Sequence, residues 1–338
     1  MKKLLVVVLL LAGCGYAGSQ GYDWVNYQVQ APMSARPQAV TIHIDEGESP
    51  DQIAQDLKDK GLIRNKDVFV YYMRYTGARS QLQAGDFVLN RNMNMARITD
   101  VLVHSKPSQV AVRLPEGYTL QQMAAEAEKD GLGKAASYVA AANDSAWSYP
   151  FLKEKPAKSN LEGFLFPDTY LLDKSATPRD LVKRQLDRFD QIFSPDLRAQ
   201  AAQATPARSA QSVYNIVILA SIVEREVNRE PDRPRACSVY FNRLLDGTPL
   251  QVDATVLYAE GKTNGQPDIG FDSTYNTYLH TGLPPGPISN PGLSAIKACL
   301  NPDKTDFKFY FTDPKGVTHF QKTGTEFEQQ KAQYGVAH

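Results

Sequence analysis

Hydrophobic and polar positions along the chain switch between a period of two and a period of three to four, and the switch recurs. Val40-Thr41-Ile42-His43-Ile44 alternates as a half-buried strand does, and Asp45-Glu46-Gly47 breaks the alternation. Ser49-Pro50 then precedes Ile53, Ala54 and Leu57, which predicts an amphipathic helix with a capping serine and a proline at its first position. Gly61-Leu62 ends it. The same order returns with Val110-Ala111-Val112-Arg113-Leu114, Glu116-Gly117, Thr119, the stripe Met123, Ala124, Ala127, and the stop Gly131-Leu132. Gly47 and Gly117 stand 70 positions apart, as do Gly61 and Gly131. A shorter copy lies between them: Phe87-Val88-Leu89, Asn94, Ile98, Val101 and Leu102. One such match can arise by chance, but a register shared by strand, turn, helix and stop marks an internal repeat.

The pattern changes from about residue 138. Aromatic residues and loops dominate up to Pro167, a charged amphipathic helix is predicted over 178–193, and 197–210 is rich in Ala and Gln. The most apolar helix of the chain starts after Ser212 and runs through Ile216-Val217-Ile218-Leu219-Ala220-Ser221-Ile222-Val223 to Glu224. A long Gly/Pro-rich stretch occupies 261–292, and Phe307–Phe311, Asp313-Pro314-Lys315-Gly316 and Val317–Phe320 read as a hairpin. Together these predict an α+β chain.

At the N-terminus, Lys2-Lys3 precede the apolar run Leu4–Leu11, the layout of a targeting segment. Leu11-Ala12-Gly13-Cys14 resembles a bacterial lipobox, with Cys14 as the lipidated residue. The alternative is an uncleaved membrane helix, since the 19 residues Leu4–Tyr22 carry no charge and a spanning helix needs roughly 20. Both readings place the chain beyond the segment outside the cytoplasmic membrane and tethered to a bilayer. Residues 21–38, with Pro32 and Pro37, read as a linker. The expected domains are therefore 1–20 anchor, 21–38 linker, 39–108 and 109–338. Lys+Arg equal Asp+Glu at 37 each, which gives no footprint for nucleic acid. With Cys14 acylated, Cys237 and Cys299 remain: an oxidising compartment permits a disulfide between them, and two unrelated buried thiols is the favoured expectation.

No HExxH, CxxC, G-x-S-x-G or phosphate-binding loop occurs, and the five histidines are scattered, so neither a metal nor a cofactor is expected. Carboxylate chemistry fits better. Glu224 closes the apolar helix, where burial disfavours the charged form and leaves a carboxyl able to act as a general acid. Ser221 and Ala220 lie on its face and leave room for a ligand. Glu226, two residues on, points about 200° away, so the two acids cannot act as a pair on one ligand unless the helix ends between them. Downstream, Gln251 and Asp253, then Tyr275-Asn276-Thr277-Tyr278, offer the amides, carboxylates and aromatic faces that bind sugars. The rigid loop 282–292 is long enough to be functional.

The strand–turn–helix unit resembles the LysM module, a small glycan-binding fold. The resemblance implies either sugar-binding units or plain scaffold. Five further strings, in order, resemble the YceG-like endolytic murein transglycosylases. They are Leu161–Tyr170 (with Glu162), Ala220–Glu226, Ser238–Leu244 (with Asn242 and Arg243), Leu250–Val256, and Tyr275–Tyr278 with Gly282–Gly286. That resemblance covers roughly residues 40–335. It implies LysM-like module(s) followed by a mixed α+β catalytic domain whose catalytic glutamate falls on Glu224. It implies cleavage between N-acetylmuramic acid and N-acetylglucosamine within glycan strands, leaving 1,6-anhydro ends, and work beside glycan-polymerising synthases (penicillin-binding proteins). Gln251, Tyr275 and Asn276 are expected to hold the strand. Glu162, Ser221, Glu226, Asn242, Arg243, Asp253, Thr277 and Tyr278 complete the expected site. The family usually has a clear membrane helix, and the lipobox departs from that. Two rival expectations stay open: a non-catalytic peptidoglycan-binding protein and a hydrolytic muramidase.

Overall fold

The computed structural model describes residues 20–105, 108–204 and 212–336. The apolar run, the lipobox and Cys14 lie outside those residues. Among the described residues no helix is long and apolar enough to cross a membrane. The chain divides into two compact units. The first reaches Val110 and takes in Leu172–Ser175, and the second holds Ala111–Leu171 and everything from Ala176 onward.

The first unit comprises helix α1 (20–30), strand β1 (Ala39–Ile44), helices α2 (Pro50–Asp59) and α3 (Lys66–Tyr75), strand β2 (Gly85–Asn90) and helix α4 (Met95–His104). β1 and β2 pair antiparallel, with Ala39 opposite Asn90 and Ile44 opposite Gly85. Their alternation turns Ile42, Ile44, Phe87 and Leu89 inward, where Ile53, Leu57, Phe69, Met73, Ile98 and Leu102 close a core. The expected linker is in fact helical over 20–30. Tyr22, Val25, Asn26 and Val29 fall at i, i+3, i+4, i+7, but Asp23, Gln28 and Gln30 between them obscure the stripe. Arg64 holds the exit of this helix, donating to the Pro32 carbonyl at 2.6 Å and lying 5.0 Å from the Tyr27 ring centre.

The chain continues through β3 (Gln109–Arg113), α5 (Leu120–Lys129), α6 (Ala135–Ala142) and β4 (Thr169–Asp173), which pairs with β3. The repeat is therefore strand–helix–helix–strand, β1α2α3β2 and then β3α5α6β4. Ser49 and Thr119 each cap their helix reciprocally with a glutamine, Gln52 and Gln122. Gly47 and Gly117 take the same left-handed turn, φ 81° and 75°. Asn94 caps α4 in the shorter copy.

Seven further helices and a hairpin complete the described chain: α7 (Pro178–Ile192), α8 (Pro195–Ala204), α9 (Ser212–Glu226), α10 (Arg233–Leu245), α11 (Asp253–Ala259), α12 (Leu293–Leu300), β5 (Phe309–Thr312), β6 (Thr318–Gln321) and α13 (Gly324–Tyr334). α9 is apolar all round because it is buried all round, packed by α8, α10, α11 and α12. An aromatic core that includes Phe151, Phe164 and Phe189 lies beside it, with Phe151 and Phe189 ring centres 4.7 Å apart. Of the two readings left open for the cysteines, the less favoured one holds: Cys237 of α10 and Cys299 of α12 form a disulfide, with Cα atoms 5.3 Å apart. The packing of α10 on α12 brings them together, and a sequence separation of 62 residues carries no hint of it.

Candidate active site

α9 ends on Glu224-Arg225-Glu226, and the helical turn sends its two acids to different surroundings. Glu224 faces inward. Its Oε1 takes Arg233 Nη2 at 2.6 Å and its Oε2 takes the Gly292 N–H at 3.0 Å. The two side chains are 5 % and 6 % exposed. The Gly117 turn closes over it: a Cβ at Gly117 would sit 3.5 Å from Glu224 Cγ. Glu116 lies in the same recess, and its own carboxyl is raised above the ordinary range first by burial and then by the Glu224 charge. Glu116 presses so close to Gly292 that a Cβ there would fall 1.9 Å from its Oε1. Through these contacts Glu224 ties the end of α9 to the β3–α5 turn and the start of α12. Both its oxygens are engaged, and it does not line the cleft described next.

Glu226 does. A cleft of about 560 Å³ is lined by Glu226, by Tyr240 and Arg243 of α10, by Gln251 and Asp253 at the start of α11, and by Tyr278. Lys308–Tyr310 of the hairpin and Phe327, Glu328 and Lys331 of α13 form its other wall. The Glu226 carboxyl is raised from 4.5 to about 7, chiefly by burial. The Ala254 N–H at 3.1 Å offsets part of that, and the Asp253 charge adds to it. Burial thus gives Glu226 a carboxyl suited to hold and release a proton. Burial also pushes the phenols around it upward: Tyr240, Tyr278 and Tyr310 all stay protonated donors at neutral pH. Tyr240 and Tyr310 share a hydrogen bond of 2.5 Å.

Arg243 is the cationic floor. Its guanidinium donates to the carbonyls of Lys308, Pro249 and Leu250 and to Gln251 Oε1, and it stacks 4.8 Å from the Phe309 ring centre. Gln251 holds φ 54°, the one non-glycine left-handed residue among those described. That conformation is sparsely populated and persists where the surroundings over-determine it, most often at working sites. Here the Gln251 N–H bonds Thr277 O at 3.0 Å while its side chain accepts from Arg243. Asp253 accepts the Tyr278 phenol at 2.6 Å. It is a second carboxylate on the cleft, which separation along the helix from Glu224 did not foretell.

The remaining expected residues hold the frame. Ser221 is fully buried, donates to Ile218 O at 2.7 Å and accepts the Ile288 N–H at 3.0 Å, fastening the 282–292 loop to α9. Asn276 spans Ile269 O and Phe271 O at 2.9 Å each. Thr277 Oγ1 meets the Val252 N–H at 3.0 Å and Thr255 Oγ1 at 2.9 Å. Asn242 donates to Thr305 O and Phe307 O. Tyr275 packs its ring 5.1 Å from Tyr258. Glu162 is buried, receiving the Leu120 N–H at 2.9 Å and Asn290 Nδ2 at 2.7 Å, and burial raises its carboxyl to about 7. None of these six lines the cleft. Tyr240, Tyr310, Lys308 and Lys331 were not singled out from sequence. Only the aromatic alternation of the hairpin and the Tyr240–Arg243 spacing hinted at two of them. In the first unit, His43 Nδ1 is 2.9 Å from both Asp86 Oδ1 and Ser175 Oγ. A Ser–His–Asp relay needs those partners on opposite ring nitrogens, so this cluster is not one.

A buried acid, a second carboxylate, phenols and a cationic floor share an open polar cleft on an α+β fold, a setting in which a carboxyl can donate and accept protons. Residues 42–333 match the YceG-like family, and the chain belongs to it. It is 33 % identical to the "Endolytic murein transglycosylase" of Bacillus subtilis (strain 168), over 87 % of this chain and 84 % of that protein. It is 29 % identical to a protein of the same name from Streptococcus pneumoniae serotype 2 (strain D39 / NCTC 7466), over 98 % of this chain and 64 % of that protein. The 2.6 Å crystal structure of a yceG-like protein from Listeria monocytogenes superposes with TM-score 0.57 at 30 % identity. The superposition covers 88 % of this chain and all of that one.

Proposed function

We propose that this protein is an endolytic murein lytic transglycosylase and that Glu226, rather than Glu224, is its acid and base. The observation that carries the reading is Glu226 itself: a carboxyl held protonated to about 7 on the wall of a polar cleft, in a family whose relatives bear that name. Glu226 would protonate the bridging oxygen of the MurNAc–GlcNAc bond as the C1–O bond breaks. The C6 hydroxyl of the same muramic acid then attacks C1, and the Glu226 carboxylate takes the hydroxyl proton, closing the 1,6-anhydro ring and restoring the acid. The nucleophile is tethered to the sugar, so its effective molarity replaces an activated water. Arg243 holds Gln251 and the hairpin in register, while Tyr278 and Asp253 face the strand.

Asp253 favours one competing outcome. A second carboxylate could activate water and give hydrolysis. Mass spectrometry of digested peptidoglycan decides between them. Anhydro ends that vanish in Glu226→Gln and persist in Asp253→Asn support the lytic reading. Reducing ends that vanish in both overturn it, and cleavage surviving Glu226→Gln removes the residue assignment. The strand–helix–helix–strand order of residues 39–90 supports a LysM-like reading of the first unit. The apolar run at 4–11 and the Cys237–Cys299 disulfide support an extracytoplasmic, membrane-tethered protein. Partnership with penicillin-binding synthases is proposed on the family resemblance.

A further inference from the structure

The first unit carries an aromatic groove that the chemistry of the cleft does not use. α1 presents Tyr22, Val25, Asn26 and Val29 at i, i+3, i+4, i+7, and α3 presents Val68, Tyr71, Tyr72 and Tyr75 at the same spacing. The two stripes bound a groove of about 670 Å³. Tyr22 is 71 % exposed, Trp24 50 %, Tyr71 71 % and Tyr75 85 %. Solvent exposure of this many large side chains on one surface marks a contact surface. Its only ionisable groups besides the phenols are those of Asp67, so charge does not draw a partner there.

We infer that this groove seats in the lipid–water interface of the membrane that holds the N-terminal segment. Tyrosine and tryptophan are the side chains that settle at that depth, ring in the acyl boundary and hydroxyl or indole N–H among the headgroups. Chain length supports the assignment. The apolar run ends at Leu11, and the eleven residues from there to Tyr22 span at most ~40 Å even fully extended. A chain anchored through the run therefore cannot carry α1 far from the headgroups. With no basic side chain in the groove, the seat depends on aromatic burial, so it needs no anionic lipid and is insensitive to salt. The inference rests on the tethered reading of the N-terminus, and the test separates the two.

The chain has two tryptophans, Trp24 and Trp147, so Trp147→Phe makes Trp24 the sole reporter and Trp24→Phe gives the control. The full chain is reconstituted into phosphatidylethanolamine–phosphatidylglycerol vesicles with and without lipid brominated near the headgroup, and flotation reports the tether. Trp24 emission is expected to shift to the blue and to lose about half its intensity to brominated lipid, while Trp147 is nearly untouched. Tyr71→Ser/Tyr75→Ser should cut that quenching about twofold at unchanged glycan cleavage. Failure to float overturns the tether and the seat together. Flotation with Trp24 no more quenched than Trp147, or quenching indifferent to the double variant, overturns the seat alone. Trp24 shielded instead by soluble glycan strands, or by a second copy at rising concentration without lipid, assigns the groove to those partners and also overturns it.

Discussion

Two residues of spacing give the acids at the end of α9 different partners. Glu224 and Glu226 share a helix, a composition and a neighbourhood in sequence, yet one is gripped by Arg233 and the other faces the cleft. Glu226→Gln should abolish anhydro products, and by removing a buried ionisable group it should not weaken the fold. In the unfolded chain Glu226 releases its proton near the ordinary 4.5, while in the fold it keeps it to about 7. The folded state therefore binds more protons between those values, and stability falls as pH rises through that window. Glu226→Gln should gain on the order of 1–3 kcal/mol over the parent at pH 8 and much less near pH 4, measured by denaturant unfolding at both. Activity should decline above about pH 7 as the acid form is lost, which a pH profile of kcat/KM reads directly. Glu224→Gln leaves Arg233 buried without its counter-charge and should cost about 3 kcal/mol or more. Glycan cleavage measured well below its lowered Tm should persist.

At the scale of elements, the site is built by loops clamped to α9. Ser221 and Ser289 bind the 282–292 loop to the helix, and Asn290 bonds Gly163 N, Leu165 N, Tyr118 O and Glu162 at once. Gly163 is the tightest point of this joint. It holds φ 88°, and a Cβ there would fall 2.5 Å from Pro287 Cγ and 2.7 Å from Val217 Cγ1. Gly163→Ala should therefore destabilise by several kcal/mol, on the order of 3 or more, from strain and overpacking together. A Tm drop too small to match would show that the 282–292 loop can shift away from α9. The polar residues of these loops look, in sequence, like a sugar site. Most of them spend their hydrogen bonds on one another because irregular backbone at this depth has no other partners.

For the whole molecule, the disulfide closes a long loop that begins in α10 and ends in α12 and contains Gln251, Asp253 and Tyr278. A cross-link over a 62-residue separation contributes up to about 4 kcal/mol by restricting the unfolded chain. Cys237→Ala/Cys299→Ala should lower the unfolding midpoint accordingly. Adding reductant should destabilise the parent and leave the double variant unaffected. Because the bond spans the elements that carry the cleft, the variant should also lose activity at temperatures below its global unfolding.

The repeat shows how far local pattern reaches. Alternation, capping pairs and turn glycines are set by neighbours within a few residues, so β1–α2 and β3–α5 were readable, as were the hairpin and the amphipathic α7. Helix α1 was not, because only Val29 of its stripe is buried and its polar residues hid the period. At the site, the sequence determined that two acids close an apolar helix and that they face apart. It could not determine which of the two lines the cleft, because that depends on Arg233, Gly117 and Gly292 converging from three distant segments. The same limit hid the disulfide and the α13 wall of the cleft. Local spacing fixes which direction a side chain leaves its helix, and only long-range packing decides what it meets there.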